Sequence, residues 1–209
     1  IDKVTCVVQA WYAGMEGGNA AADIVFGDVN PSGKLPITFP KRLEDSPAHA
    51  IGQYNDQDCE YKEGLLVGYR YYDTKKVQPL FPFGHGLSYT EFTYGNLKID
   101  PASLEVCVDI KNTGKRKGKE VVQLYVHDVE SRVPRPAKEL KGFKKVELAP
   151  GETKTVTFRL DERALAFYDP QAKRWVAEPG QFEILVGSSS RDIRLQTRFA
   201  YGKVAGRSN

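Results

Sequence analysis

The sequence has few cysteines and no long apolar run. Its three cysteines, Cys6, Cys59 and Cys107, are odd in number and widely spaced, which matches neither a CxxC metal motif nor a disulfide framework. Cys6 and Cys107 lie in apolar, strand-like stretches, so we expect buried thiols there, whereas Cys59 lies in a polar loop and is expected to be the more reactive. No stretch approaches the roughly 20 consecutive apolar residues of a membrane span, and the opening IDKVTCVV does not have a signal-peptide layout.

The charge pattern and the glycine pattern exclude further classes of protein. The 30 basic and 27 acidic residues give a formal net charge of +3 with the signs interspersed, so the sequence predicts no nucleic-acid partner. The glycine run GMEGG, residues 14–18, is neither GxGxxG nor a Walker motif, and no spacing suits a metal. With 209 residues, 41% of them hydrophobic, we predict a globular chain without cofactor or metal.

The first forty residues predict a β-α-turn-β unit. Residues Val4–Trp11 are rich in apolar side chains and are typical of a strand, and the glycines after them interrupt it. Asn19 is a good N-cap for a helix over Ala20–Phe26, with Gly27 as a left-handed C-cap. The turn sequence NPSG then leads into the β-prone stretch Leu35–Phe39.

The next fifty residues differ in composition from the first forty. Residues 40–61 are polar with little periodicity, so we predict a connecting loop in which His49 is solvated. Residues 62–91 are rich in aromatics, proline and glycine, which is typical of a rigid linker between firmly docked domains. Within it, Glu63 and Arg70 are predicted to form a buried ion pair.

Residues 92–202 alternate apolar and polar side chains with a period of two, the pattern of half-buried strands. Turn signals separate the strands, and about seven strands indicate an immunoglobulin-like sandwich. A proline-rich loop, Asp128–Lys138, contains Arg132 and Arg135, and residues 203–209 are predicted to be a flexible tail. The seven predicted strands are Leu104–Ile110, Val121–His127, Leu140–Leu148, Thr155–Leu160, Arg174–Ala177, Phe182–Val186 and Ile193–Phe199.

Four motifs carry a resemblance to a known family. WYAGMEGGNAAADIVFGDVNPSGKLPITFP is similar to the end of the α/β-sandwich domain of glycoside hydrolase family 3, the β-glucosidase and β-xylosidase family. YKEGLLVGYRYYD, FPFGHGLSYTEF and PAKELKGFKKVELAPGETKTVTFRL resemble, in order, the later segments of the same family. The resemblance implies an α/β fragment, the end of an α/β sandwich, in residues 1–61, an interdomain linker in 62–91 and an all-β immunoglobulin or fibronectin type III-like sandwich in 92–202.

The resemblance also bears on catalysis. A retaining glycosidase needs two carboxylates about 5 Å apart. In this family the aspartate nucleophile lies on an N-terminal barrel and the acid/base is commonly a glutamate of the α/β sandwich, both upstream of the segment that opens this chain. The resemblance therefore implies no catalytic residue in this chain. Apart from the resemblance, the length and irregularity of the loop Asp128–Lys138 favour a role at the domain interface, and we predict that it reaches across to hold the α/β sandwich.

Four residues are candidates for a site, each with a structural alternative. Trp11 and Tyr12 could stack on a sugar, but packing is the favoured interpretation. Glu16 precedes the predicted helix, whose dipole would keep it ionised, so a structural role is favoured. His85 lies between two glycines and has no partner carboxylate or nucleophile nearby in sequence, so we predict a structural role for it as well.

The sequence supports two functional hypotheses. In the first, the chain is the C-terminal portion of a family 3 β-glucosidase, or of a β-xylosidase, that acts on glycosides or oligosaccharides. The remaining N-terminal part of the enzyme is then its partner, in the same chain or as a second one, and a homo-oligomer stays open. In the second, the chain is a stand-alone carbohydrate-binding or adhesion module. Such enzymes are usually secreted or periplasmic, although the unpaired cysteines keep a cytoplasmic location open.

Overall fold

The computed structural model describes residues 3–52, 57 and 60–202. Cys59 and the predicted tail 203–209 lie outside the described residues, so the expectations for them stay predictions. An N-terminal half, residues 3–91, contains short helices and irregular chain, and a β-sandwich comes after it in residues 92–202. None of the helices in these ranges is long and apolar enough to cross a membrane.

Helix α1, Gly17–Phe26, confirms the predicted helix and its C-cap. Gly27 has φ 84° and donates its N–H to the Ile24 carbonyl, as a left-handed cap does. The predicted N-cap is wrong, because the helix begins before Asn19 and Glu16 occupies the cap position. The Asn19 amide instead donates to Glu16 Oε2 at 2.6 Å, so the two side chains satisfy each other.

The strands predicted on either side of α1 are absent from the structure. Residues 4–11 have no regular structure, and Cys6, expected to be buried, is exposed. A strand is stable only when a neighbour accepts its hydrogen bonds, and the described residues provide none here. Residues 35–39 form only one β-bridge, between Phe39 and Phe81, while the Leu35 N–H donates to the His85 carbonyl.

The polar stretch after residue 40 contains short helices that the sequence did not predict. A 3₁₀ turn over Leu43–Asp45 is followed by helix α2, Pro47–Ala50, which has proline in its first turn. His49, predicted to be a solvated loop residue, lies on α2 with Nδ1 2.9 Å from the Ser46 hydroxyl. Helix α3, Tyr69–Thr74, was also missed, because its YRYYDT sequence is crowded with β-prone aromatics.

The β-sandwich confirms all seven predicted strands and adds two. One sheet has the order β1-β2-β5 and the other β4-β3-β8-β9, while β6 and β7 form a two-stranded ribbon. Helix α4, Glu162–Leu165, is capped by the Asp161 carboxylate, which accepts from the Ala164 N–H. The strands are β1 Phe92–Asp100, β2 Glu105–Asn112, β3 Gly118–Asp128, β4 Glu139–Leu148, β5 Thr153–Arg159, β6 Phe167–Asp169, β7 Arg174–Val176, β8 Gly180–Gly187 and β9 Ile193–Tyr201.

The core lies between the two larger sheets and has the predicted alternation. Val106, Val108 and Ile110 of β2 are fully buried and belong to the same cluster as the inward residues of β3 and β8. Burying each such side chain contributes about 1.5–3 kcal/mol. Cys107 lies between them on the other face of the pleat, half-buried beside the Thr157 hydroxyl, so the expectation of a buried thiol is wrong for it as well.

The linker, residues 62–91, lies on the outer face of the β-sandwich. Gln123 of β3 donates its amide N–H to the carbonyls of Gly84, at 3.1 Å, and Ser188, at 2.7 Å. Its amide oxygen accepts from the Tyr125 hydroxyl at 2.6 Å. Gly84 has φ 80°, and a Cβ there would lie 2.2 Å from Gln123 Oε1. Both backbone conformation and close approach therefore require glycine at position 84.

We expect Gly84→Ala to destabilise the chain more than Gly151→Ala. Both glycines have positive φ, so either alanine should cost about 1–2 kcal/mol of strain. Only position 84 adds a clash, expected to cost about a further 1–3 kcal/mol, since a Cβ on Gly151 meets nothing within 4 Å. Urea unfolding of both variants measures this difference. Equal losses in the free energy of unfolding would show that the Gln123 side chain moves away from the added methyl group without destabilising the chain.

Candidate functional site

The candidate substrate residues lie together on the exposed N-terminal segment. The Trp11 ring is half-exposed, and its centroid lies 6.3 Å from that of Phe39, which in turn contacts Phe81 edge-to-face. Tyr12 is fully exposed. Glu16 is exposed at the start of α1, where it binds Asn19. A role for Trp11, Tyr12 or Glu16 in sugar binding stays a prediction.

The same segment exposes an unusual number of large apolar side chains. Helix α1 has no buried residue, and Phe26 near its end is 82% exposed. Many exposed large apolar side chains within one short segment are typical of a place where another protein surface packs. We call it the N-terminal apolar surface, and it consists of Val4, Val7, Val8, Trp11, Met15, Val25, Phe26 and Val29.

The other side of this segment is fixed to the β-sandwich by polar contacts. The Asn30 side chain donates to the Lys117 carbonyl at 3.0 Å and accepts from the Tyr89 N–H at 2.8 Å. The Tyr89 hydroxyl donates to the Ile24 carbonyl at 2.8 Å, and Arg116 donates to the Gly27 carbonyl at 3.1 Å. These contacts satisfy carbonyls at the end of α1, so the helix is held with its apolar side outward.

Helix α3 is held by charged groups, with partners that differ from the predicted ones. Asp73, with its side chain 3% exposed, forms ion pairs with Lys138 and Arg191. Lys138 contacts one carboxylate oxygen, Oδ2, at 2.8 Å and Arg191 contacts the other, Oδ1, so each oxygen faces a cation of the β-sandwich. Arg70, expected to pair with Glu63, pairs with Glu139 at 3.1 Å.

The proline-rich loop holds the linker, but not through its arginines. Arg132 pairs with Asp169 and Glu178, and Arg135 binds Asp128, Glu139 and the Leu165 carbonyl, all within the β-sandwich. The loop as a whole was predicted to reach across to the α/β sandwich, and the bonds of these two arginines do not make that contact. The end of the loop makes the contact instead, with the Ala137 N–H donating to the Thr74 hydroxyl and Lys138 pairing with Asp73.

A polar groove lies where the N-terminal half meets the β-sandwich. Lys34 Nζ is 2.9 Å from the Gly86 carbonyl and 3.3 Å from Glu120 Oε1, and the Tyr94 hydroxyl donates to the same oxygen at 3.1 Å. Burial raises the pKa of Glu120 despite these partners. His85 stacks on Phe81, and burial followed by Lys34 lowers the pKa of its imidazole.

The buried carboxylates in the described part of the chain hold cations. Asp73, Asp128, Glu120 and Glu139 each contact at least one lysine or arginine. A retaining glycosidase instead needs two carboxylates that face a shared sugar site. Among the described residues, no group of three or more His, Cys, Asp and Glu side chains is arranged to hold a metal ion. Asp73, Glu120 and Glu139 each pair with a cation across the boundary between the N-terminal half and the β-sandwich, whereas Asp128 pairs within the β-sandwich.

We expect Asp73→Ala to lower the free energy of unfolding by about 2–3 kcal/mol, because it leaves Lys138 and Arg191 without their shared anion. Glu105→Ala is the matched control, since its ion pair with Arg159 is exposed and should contribute less than about 1 kcal/mol. Urea unfolding compares the two. A loss for Asp73→Ala no larger than the control's would contradict a role in docking.

Comparison with known proteins assigns both halves of the chain. The model of the glycosyl hydrolase family 3 C-terminal domain matches residues 1–89, and that of the fibronectin type III-like domain matches residues 120–190. Thermostable β-glucosidase B of Acetivibrio thermocellus is 56% identical over 202 residues, which are 94% of this chain and 27% of that protein. β-Glucosidase BoGH3A of Bacteroides ovatus is 50% identical over 96% of this chain and 28% of its own length.

Solved structures agree with these matches. A family 3 β-glucosidase from Bifidobacterium adolescentis superimposes with a TM-score of 0.87 at 40% identity, over 92% of this chain and 29% of that one. β-Glucosidase 3B from Thermotoga neapolitana, solved with α-D-glucose, gives a TM-score of 0.86 at 42% identity, over 92% and 28% of the two chains. The chain thus spans little more than a quarter of the relatives it matches. It belongs to glycoside hydrolase family 3, of which it is a C-terminal portion that carries the family's C-terminal and fibronectin type III-like domains.

Proposed function

We propose that this chain is the C-terminal portion of a retaining β-glucosidase that hydrolyses terminal non-reducing β-D-glucosyl residues. In this proposal the chain contributes scaffold and domain docking, and the catalytic pair lies elsewhere in the enzyme. The observation that supports the proposal is the N-terminal apolar surface, because its side chains are about half or more exposed in the described residues and it lies in the segment that matches the family's C-terminal domain. The names of the relatives supply the substrate class.

The resemblance implies how the complete enzyme would act. An aspartate attacks the anomeric carbon, and a glutamate protonates the departing oxygen and then activates water, which retains the configuration. This chain's own residues would fix the position of the domain that carries the acid/base. A displacement of about 1 Å can cost about a hundredfold in rate, so rigid docking through Gln123 and Asp73 would matter for catalysis.

The partner in this proposal is the N-terminal part of the same enzyme, because the relatives are longer single chains. A separately encoded partner and a homo-oligomer are alternatives. The relatives' names favour a β-glucoside over a β-xyloside. The stand-alone carbohydrate-binding module is disfavoured, because such a module gains nothing from exposing Phe26 and its neighbours to water.

We also propose that the complete protein is secreted or periplasmic and acts in polysaccharide degradation. Support comes from the usual location of enzymes of this type, not from the described residues. The free thiols of Cys6 and Cys107 are compatible with the cytoplasm too, so that location is the alternative. Fractionation of cells that express the full-length protein, followed by immunoblotting, distinguishes the two.

A chimera tests the proposed function. The matched portion of the Acetivibrio thermocellus enzyme is replaced by this chain, and hydrolysis of an aryl β-glucoside is measured. We expect activity from the chimera and none from the 209-residue chain alone. Phe26→Asp should reduce the recovered activity at least about tenfold, because it places a charge in the contact, a cost of more than about 1.4 kcal/mol.

The matched control is Phe143→Asp, which changes another exposed phenylalanine, 66% exposed on β4 of the β-sandwich. We expect this variant to retain the activity of the chimera. Hydrolysis by the isolated chain would contradict the proposal outright. Equal losses for the two variants would mean that the N-terminal apolar surface has no special part in assembly.

A further inference from the structure

Glu120 is a buried carboxylate at the boundary between the two halves of the chain. It lies near the start of β3, is 5% exposed, and contacts Lys34 of the N-terminal half. The groove around it is closed by the linker, whose Gly86 carbonyl accepts from the same lysine. Part of the surroundings of Glu120 therefore belongs to the N-terminal half, and docking brings that part onto the carboxylate.

The contacts made by Glu120 compensate its burial incompletely. Lys34 Nζ is 3.3 Å away and the Tyr94 hydroxyl 3.1 Å away, both longer than the 2.5–2.9 Å typical of strong charge-assisted hydrogen bonds. Both contacts go to one oxygen, Oε1, and the shorter bond of Lys34 goes to the Gly86 carbonyl. Burial of a carboxylate with such partners shifts it toward its protonated form relative to water, because the loss of hydration outweighs the attraction to the cation.

Of the other charged groups in the groove, Arg194 opposes the effect of burial on the pKa of Glu120, but burial is the largest influence. Arg194 of β9 lies over the Tyr94 ring, but its guanidinium binds the Asp192 carboxylate, which also accepts from Ser188. Despite burial, Arg194 and Ser188 keep the pKa of Asp192 below its ordinary value of 3.8. Burial, followed by Glu120, raises the pKa of Tyr94 far above its usual range, so its hydroxyl stays neutral.

We propose that docking of the N-terminal half on the β-sandwich takes up a proton at Glu120, so that mildly acidic solution tightens the contact. The proton comes from solvent and neutralises the carboxylate, while Lys34 keeps its bond to the Gly86 carbonyl and the Tyr94 hydroxyl keeps its acceptor. This proton uptake at Glu120 does not depend on the glucosidase activity proposed above.

The sign of the effect is set by linkage between protonation and docking. The pKa of Glu120 is raised in the docked state above its ordinary value of 4.5, so the docked state binds the proton more tightly. The stabilisation is fully present below pH 4.5 and is lost as the pH rises through the docked-state pKa. His85 acts in the opposite direction, because its lowered pKa weakens docking as the pH falls below about 6.5. Comparing the Glu120→Gln variant with the unchanged chain at the same pH cancels the contribution of His85, because both proteins contain it.

The test compares the full chain with its Glu120→Gln variant across the range from pH 4.5 to about 7. Glutamine has the shape of the protonated carboxyl, so the two should unfold at the same temperature at pH 4.5. Near pH 7 the variant should unfold at a temperature higher by roughly 2–4 °C. Hydrogen exchange of the Ser190 N–H, which donates to the Phe83 carbonyl across the contact, should be slower in the variant at neutral pH.

Glu147→Gln is the matched control, because Lys117 lowers the pKa of this exposed carboxyl. It should leave the unfolding temperature unchanged, or lower it, near neutral pH. A lower unfolding temperature for Glu120→Gln at neutral pH would overturn the proposal, since the ion pair would then be net stabilising. A higher temperature with unchanged exchange at the Ser190 N–H would also overturn it, because the contact between the halves would then be unaffected.

Discussion

The hydrogen bonds of Gln123 determine where the linker lies, and the rest of the arrangement depends on them. Gln123 and Tyr125 point to the outer face of β3, a face that is solvated in many antiparallel sheets, yet both are buried. The amide of Gln123 ties the Gly84 carbonyl to that of Ser188, and Tyr69 stacks on Phe83 above Tyr125. A buried amide without its hydrogen-bond partners would cost about 1–3 kcal/mol, so separation of the linker from β3 is unfavourable.

Because the linker is fixed on the β-sandwich, the inner and outer sides of the N-terminal half have different roles. Its inner side carries matched polar groups, Asn30, Lys34 and Asp73, each with a partner on the β-sandwich. Its outer side carries apolar groups such as Phe26 without partners in the described chain. The polar side holds the segment in place and the apolar side is available to another domain, which is the division expected of a scaffold between a catalytic part and a β-sandwich.

The sequence predicted those elements whose pattern is local. The period-two strands, the helix ending at Gly27 and the family motifs all rest on neighbouring residues, and all are confirmed. Some errors are local, such as the N-cap at Asn19 and the missed helices α2 and α3, and the others concern partners that are distant in sequence or the face of a strand on which a side chain lies. The predicted strand from Val4 needs a neighbouring sheet, and Arg70 pairs with Glu139 rather than the nearby Glu63. The side chain of Cys107 lies on the opposite face of β2 from its buried apolar neighbours. The run VVQLYV, Val121–Val126, was the available signal that both faces of β3 are covered.

The central claim is that the N-terminal apolar surface is the docking face for the remainder of a family 3 hydrolase. Hydrogen exchange tests it most directly, measured on this chain alone and on the chain mixed with the N-terminal part of a relative. In the mixture we expect slower amide exchange over residues 3–29 than in the chain alone. Exchange at the β6–β7 ribbon, which carries Tyr168 and Trp175, should be unchanged. Protection confined to that ribbon, or none at residues 3–29, would contradict it.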